Sequence, residues 1–434
     1  ETIETLRRMG YRDPVHISGA IRGWHHGHVR ATRSARAREL LTKLVPALLG
    51  ALAATADPDV AFAQFDRFLT NLPAGVALFS LLLAHAELLR LIAEIMGSAP
   101  RLADHLARAP ATLDALLDRD FLSERPSRAA LDRALQSQLA RAGSYERVLD
   151  AVRRFVKEQG FRVGVQVIEG AAKADEAGPA FTSIAESVIV QILPHVMVAL
   201  GESAGQIHGG AFCVIAMGKL GGREMTAGSD LDLVFVYDAP PAVEQSDGER
   251  PLPLTVYYAR LAQRLIAALT AMTAEGGLYE VDMRLRPTGS KGPAAVSLQS
   301  FAQYHEAEAW TWERMALTRA RVIAGPSELA TKLDGIIRKT LSRASDWAVL
   351  SRDAREMREK IAAQYPGKNP WDLKYTPGGL IDIEFIAQTL QLSHAHETPG
   401  VLSTNTMDAL KRLAKVGALH QGEADALIAA AGLE

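Results

Sequence analysis

The chain is nearly without cysteine: Cys213 stands alone among 434 residues. No intrachain disulfide is possible, which excludes the small cross-linked secreted scaffolds. Cys213 sits in an apolar run and reads as a buried, inert thiol rather than a nucleophile. Net charge is missing too. Lys and Arg number 48 against 50 Asp and Glu, a formal charge of −2, so no electrostatic case for nucleic-acid binding arises. Long hydrophobic runs are scarce. The most apolar stretch, Pro73 to Ala84, is short and passes into His85, Glu87, Arg90 and Glu94, the pattern of a core helix rather than a membrane span. There is no repeat of solenoid period and no low-complexity tract. The first residues carry no secretory-leader pattern, and a cytoplasmic location is expected. What is present, 48% hydrophobic and 23% charged residues, is the composition of a globular protein with room for about two or three domains.

Three regions follow from the patterning. Residues 1–180 read as helical throughout, with Phe65, Phe68, Leu72 and the run Leu78 to Ile92 as packed faces. Breaks are expected near Asp57-Pro58, Gly97 to Pro100, Ser123 to Pro126 and Gly143-Ser144, and Gly170 to Pro179 reads as a linker or loop. Residues 181–325 carry the strand signals and form the expected catalytic domain. Within them, Ala239 to Pro253 reads as an exposed loop. Residues 326–434 are helical again, interrupted by the Pro/Gly-rich stretch Tyr365 to Gly379. The expected fold class is α+β, multidomain and predominantly helical.

The chemistry centres on Gly228-Ser229-Asp230-Leu231-Asp232-Leu233, which opens the apolar run Val234 to Tyr237. On a strand, Asp230 and Asp232 share one face. Paired oxygen ligands on a rigid strand suit Mg²⁺ ions that clamp a phosphoryl displacement. The plain alternative is a strand beginning with two solvated acids. Upstream, the strand-like run Phe212 to Met217 leads into Gly218-Lys219-Leu220-Gly221-Gly222-Arg223. These glycines permit a sharp turn, and a helix starting near Lys219 would offer N–H groups to phosphate. Further on, Tyr279 to Arg286 alternates cleanly. Tyr279, Val281, Met283 and Leu285 form one face, and Glu280, Asp282, Arg284 and Arg286 the other. Between them, Tyr258, Leu261, Leu265, Leu269 and Met272 recur at helical spacing, ended by Gly276-Gly277.

Other clusters have bland readings. Trp24-His25-His26-Gly27-His28 looks like a metal tract, but its spacing is tight and no carboxylate or thiol stands close. Arg22, Arg30, Arg33, Arg36 and Arg38 read as a solvated face, with partner docking as the alternative. His394 and His396 fall at a helix end. Asp382 and Glu384 in the first turns of a helix complement its dipole. Phe301, Trp310 and Trp312 read as core, with Glu313 free to face the site.

These motifs resemble the nucleotidyltransferase superfamily of DNA polymerase β. Within it they are similar to the bifunctional glutamine synthetase adenylyltransferase/adenylyl-removing enzymes. The matching stretches are Gly218 to Asp238, Tyr279 to Pro293, Ala309 to Gly325, Arg355 to Lys360, Gly378 to Gln388 and, upstream, Arg22 to Leu52. The resemblance implies a polymerase β-like core flanked by helical domains. It implies Asp230, Asp232 and Asp282 as catalytic and Mg²⁺-binding residues, with Asp282 also the candidate base. It places ATP at Gly218, Lys219, Gly221, Gly222, Arg223, Ser229, Arg284 and Arg286, Ser229 shaping the turn or touching phosphate. The superfamily's Gly-Ser at this turn is Gly218-Lys219 here. The family has an adenylylating and a phosphorolytic half, and Gly-Ser-Asp-Leu-Asp-Leu with Glu308 to Glu313 looks like the adenylylating one. The lack of an initiator Met and the helical pattern at Glu434 fit an excised piece. Glutamine synthetase is then the protein substrate, with PII signalling protein and glutamine as effectors. The alternatives are the phosphorolytic half, a nucleotidyltransferase with another substrate, and a PII-sensing scaffold.

Overall fold

The structure is a computed structural model in which residues 3–108, 126–366, 369 and 372–432 are described. The break expected at Ser123 to Pro126 lies, apart from Pro126, outside the described residues. The chain is predominantly helical with one small mixed sheet. It forms two compact units, Glu1–Pro126 with Lys157–Lys173, and Ser127–Val156 with Ala174–Glu434.

In the first unit, side-chain caps start the helices. Asp13 caps Pro14–His25, Ser34 caps Ala35–Ala53 and Asp57 caps Pro58–Asn71, each accepting from a backbone N–H three residues on. Proline at the first position of two of these helices forfeits only an N–H that has no partner there. The core is apolar. Phe62, Phe65 and Phe68 are buried, and Trp24 stacks on Phe62 with centroids 5.2 Å apart. The tryptophan of the histidine tract is therefore a core anchor. Its Nε1 donates to Asp66 at 2.7 Å, while His25 hydrogen-bonds the Ile21 carbonyl at 2.9 Å. The stretch Pro73 to Ala84 becomes helix Val76–Ala84, and the chain bends by 112° before Ala86–Ser98.

The second unit is built on five strands: β1 (Ala211–Ala216), β2 (Leu231–Asp238), β3 (Val281–Asp282), β4 (Ala295–Ser297) and β5 (Arg321–Ala324). β1 pairs antiparallel with β2 on one side and β5 on the other. The free edge of β2 is shared. Parallel β3 takes its start, at Leu231 and Asp232, and parallel β4 its end, at Phe235 to Tyr237. This overturns the long alternating strand expected over Tyr279 to Arg286. Only Val281–Asp282 pair, because the chain leaves the edge after Asp282 and returns as β4.

Both sheet faces are covered, so β2 reads as an unbroken apolar run. On one face Phe212 stacks with Phe235, and Tyr258 of helix Leu254–Thr270 stacks with Phe212 and Tyr237. Helix Leu254–Thr270 ends earlier than expected, and Met272 beyond it is 78% exposed. On the other face Cys213, Ile215, Val234 and Val236 share a core with Leu329, Leu333, Ile337, Leu350 and Leu392, residues on both sides of position 326. Among the described residues one helical stretch, Glu176–Ala204, is long and apolar enough to cross a membrane. Here its Ile184, Val188, Ile189 and Ile192 are buried, and its Glu186 pairs with Arg321 and Arg128, the arrangement of a core helix. Its helix starts at Ala174, within the stretch expected to be a linker.

Candidate active site

β2 and β3 set the aspartates. Asp232 and Asp282 are direct partners in the parallel ladder, so their side chains leave the same face side by side. Asp230 stands two residues before Asp232, exposed at the mouth of the strand. Burial pushes the Asp232 carboxyl up to about 7, with further contributions from the charges of Asp230 and Asp282 and opposing ones from Arg319 and Lys374. Asp282 behaves oppositely. Burial raises it, but hydrogen bonds from the Arg284 side chain and backbone outweigh this and hold it below the usual carboxylate range. Arg284 donates from Nε at 2.7 Å and from its backbone N–H at 2.8 Å. In the metal-free protein the carboxyl near neutrality is thus Asp232, not Asp282.

Gly218 has a positive φ of 52°, and a Cβ there would strike the Asp232 carboxylate. The bare backbone at 218 is what lets the turn and this carboxylate touch. The Met217 N–H donates to the Asp232 carbonyl at 2.9 Å, tying turn and dyad together. The short helix expected near Lys219 is Gly218–Gly222, a single turn. Gly221 and Gly222 are buried. A Cβ on Gly221 would meet the Arg319 carbonyl, and one on Gly222 the Arg319 guanidinium. Arg223 is exposed and ends the turn in the left-handed conformation, at φ 59°. Lys219 lies half-buried in it. Ser229 shapes the approach to Asp230: its Oγ accepts the Thr226 N–H at 2.8 Å. Arg286 spends its fork on its own loop, donating to the Met283 carbonyl at 2.8 Å and the Gly292 carbonyl at 3.1 Å.

Sequence reading missed Arg319. It is buried, pairs with Glu224 and Glu384, and its charge favours the ionised form of Asp232. Glu224 also accepts the Thr406 N–H, and Asn405 donates to the Gly222 carbonyl at 3.1 Å. The glycine turn is therefore clamped from residues far along the chain. The only sequence signal was that Arg319 and Glu384 both lie in stretches that carried the resemblance. Lys374 was missed as well. Its charge acts on both Asp230 and Asp232. Glu313 is corrected: it is buried, accepting from Tyr304 Oη at 2.7 Å and the Trp310 N–H at 2.8 Å, a cap rather than a site residue. Phe301 is core, but Trp310 is 70% exposed.

The donor set suits a hard divalent cation: carboxylate oxygens held together at like-charge cost. As the side chains stand, among the described residues no group of three or more His, Cys, Asp or Glu converges to hold a metal ion. Asp282 is engaged by Arg284 instead.

Residues 89–336 match the family model of glutamate-ammonia ligase adenylyltransferase, and residues 353–432 that of GlnD PII-uridylyltransferase. The bifunctional glutamine synthetase adenylyltransferase/adenylyl-removing enzyme of Brucella suis biovar 1 (strain 1330) is 48% identical over 404 residues, covering 93% of this chain and 41% of that protein. Its counterpart in Rhodopseudomonas palustris (strain TIE-1) is 44% identical over 431 residues, covering 99% and 44%. That in Mesorhizobium japonicum (strain LMG 29417 / CECT 9101 / MAFF 303099) is 45% identical over 413 residues, covering 95% and 42%. The chain spans less than half the length of these relatives. With the family model covering more than half of its residues and an aspartate pair in register behind a glycine turn, the chain belongs to the glutamate-ammonia ligase adenylyltransferase family.

Proposed function

We propose that this chain moves AMP from ATP to a tyrosine hydroxyl of glutamine synthetase, releasing pyrophosphate, on a polymerase β-like core. The observation that carries the reading is the pairing of Asp232 with Asp282, beside Asp230 and against Gly218. Relatives named for adenylyl transfer on glutamine synthetase support the substrates.

Asp230, Asp232 and Asp282 would hold Mg²⁺, which when bound screens the phosphates and lowers the pKa of the attacking hydroxyl. Asp232 and Asp282 come from two adjacent strands, so the spacing of this pair is set by the ladder, while Asp230 stands just before β2. Arg284 fixes Asp282 and keeps it ionised, the form in which a carboxylate can hold a cation. Gly218 lets the glycine turn lie directly against the Asp232 carboxylate. The adenylylating direction rests on Gly228 to Leu233 and Glu308 to Glu313.

The test is transfer of labelled AMP from ATP to purified glutamine synthetase with Mg²⁺. Incorporation that is lost in Asp230→Asn and Asp232→Asn supports the reading. Release of AMP as ADP from modified glutamine synthetase with phosphate, without incorporation, would assign the opposite half. Full transfer by both variants would sink the site.

A further inference from the structure

The segment after helix Trp347–Gln364 has no part in the reading above, yet it is tied to the aspartates from several directions. Tyr365 lies close enough to Arg284, the side chain that holds Asp282, to favour its charged form. The Tyr365 ring stacks on Tyr375, with centroids 4.6 Å apart at 20°. Lys374 Nζ lies 5.2 Å from the centre of the Tyr375 ring, within cation–π range. From the opposite side, Asp382 accepts the Gly378 N–H at 2.6 Å and the guanidinium of Arg358, whose Nη2 also donates to the Tyr375 carbonyl at 3.1 Å. The N–H groups of Leu380 and Ile381 return to the Leu373 and Lys374 carbonyls at 2.8 and 3.3 Å. Glu384, further along the same helix, is fixed to Arg319, which packs on Gly222.

These tethers leave the stem of Lys374 held and its side chain exposed. Three arginines of the neighbourhood are committed: Arg284 to Asp282, Arg286 to loop carbonyls, Arg319 to Glu224 and Glu384. Lys374 is exposed beside the Tyr375 ring, and its charge is felt by both Asp230 and Asp232, so an ammonium with three donors stands within electrostatic reach of these carboxylates. A lysine serves phosphate as a point charge that reorients freely about its stem.

We propose that Lys374 is a substrate-binding residue that contacts the phosphates of the nucleoside triphosphate, delivered to the site by the Arg358–Asp382 clasp and the Tyr365–Tyr375 stack. The proposal rests on the nucleotidyl-transfer reading. It assigns to the C-terminal helical region a direct part in the site rather than a supporting one.

Lys374→Met and Lys374→Arg test it, with wild type and Asp232→Asn as controls. The probes are α,β-methylene-ATP with Mn²⁺ by calorimetry, Mn²⁺ alone by electron paramagnetic resonance, and adenosine. Lys374→Met is expected to weaken the triphosphate analogue about tenfold or more. It should leave adenosine unchanged and bind Mn²⁺ alone at least as well, because a repelling cation has gone. Lys374→Arg should recover part of the loss. Unchanged analogue affinity in Lys374→Met, with wild type binding and Asp232→Asn impaired, overturns the proposal and spares the functional reading. A parallel loss of Mn²⁺ and analogue together with a lower Tm also overturns it, since that is a structural role. Absence of analogue binding in wild type overturns the reading of the site, and this proposal with it.

Discussion

The two units bury different things. In the first, the described core is aromatic and aliphatic, and among its described residues the only fully buried polar side chains are Thr32 and Gln166. In the second, Arg153, Glu186, Glu313 and Arg319 are all buried. Taking a charge out of water costs several kcal/mol unless partners repay it. The first unit shows that this chain can fold without that cost, so each buried charge in the second calls for a reason. Arg153 and Glu313 finish helices: Arg153 donates to the Ala268 carbonyl in the last turn of helix Leu254–Thr270 and to the Gly276 carbonyl beyond it, and Glu313 caps Thr311–Leu317. Arg319 does something else. It joins the glycine turn to helix Leu380–His394 beside Asp232.

The largest effect should come from the site itself. Asp232→Asn is expected to lower AMP transfer by at least about 10³-fold, about 4 kcal/mol in barrier, with no loss of Tm. A lower Tm would mean the dyad is structural. Next come the two cores. Arg319→Met should destabilise by about 3–5 kcal/mol, because Glu224 and Glu384 lose their shared partner, and should reduce transfer as well. Phe65→Ala in the first unit should cost a similar 3–5 kcal/mol through its cavity alone. Denaturant melts of both variants sharpen the contrast, which fails if Arg319→Met melts like wild type.

A smaller effect is expected from pH. Between about pH 4 and 7 the metal-free folded protein keeps a proton on Asp232 that the unfolded chain has lost. The stability this confers is full below about pH 4 and gone once pH passes 7. The slope is at most roughly 1.4 kcal/mol per pH unit. Asp232→Asn should abolish that component, and a slope unchanged in the variant would refute it. Mg²⁺ must displace the same proton, so its apparent affinity should fall as pH drops below 7. The smallest effect belongs to the first unit's caps. Asp57→Ala should cost about 1 kcal/mol, read in a thermal melt.

What the sequence reveals about this molecule is what local patterns encode. Asp230, Asp232, the Gly218 turn and the apolar β2 run lie within about twenty residues, and each has a period or a spacing to read. Asp282 was legible because it sits in an alternating segment, but that alternation overstated the strand. Periodicity describes which faces are apolar. It does not say that β4 claims the same edge a few residues later, and this is what stops β3 at Asp282. Arg319, Lys374 and Glu224 were illegible for a different reason. The partners of Arg319 and Glu224 are 65 to 182 residues away, and an arginine or a lysine in a helix-rich stretch has no signature of the carboxylate it will meet. Glu313 misled because capping and catalysis use the same side chain.

The lone thiol has a practical corollary. Cys213 is fully buried in β1, with its Sγ near the Pro326 carbonyl, and burial, aided by the charge of Asp334, pushes its pKa up to about 11. In the folded protein it is therefore silent to maleimide and iodoacetamide reagents at neutral pH. A cysteine substituted at an exposed position, such as Trp310 or Met272, becomes a single addressable handle without any background to remove. A fluorophore on residue 310 or 272 would then report, from one defined place, when nucleotide or a protein substrate arrives.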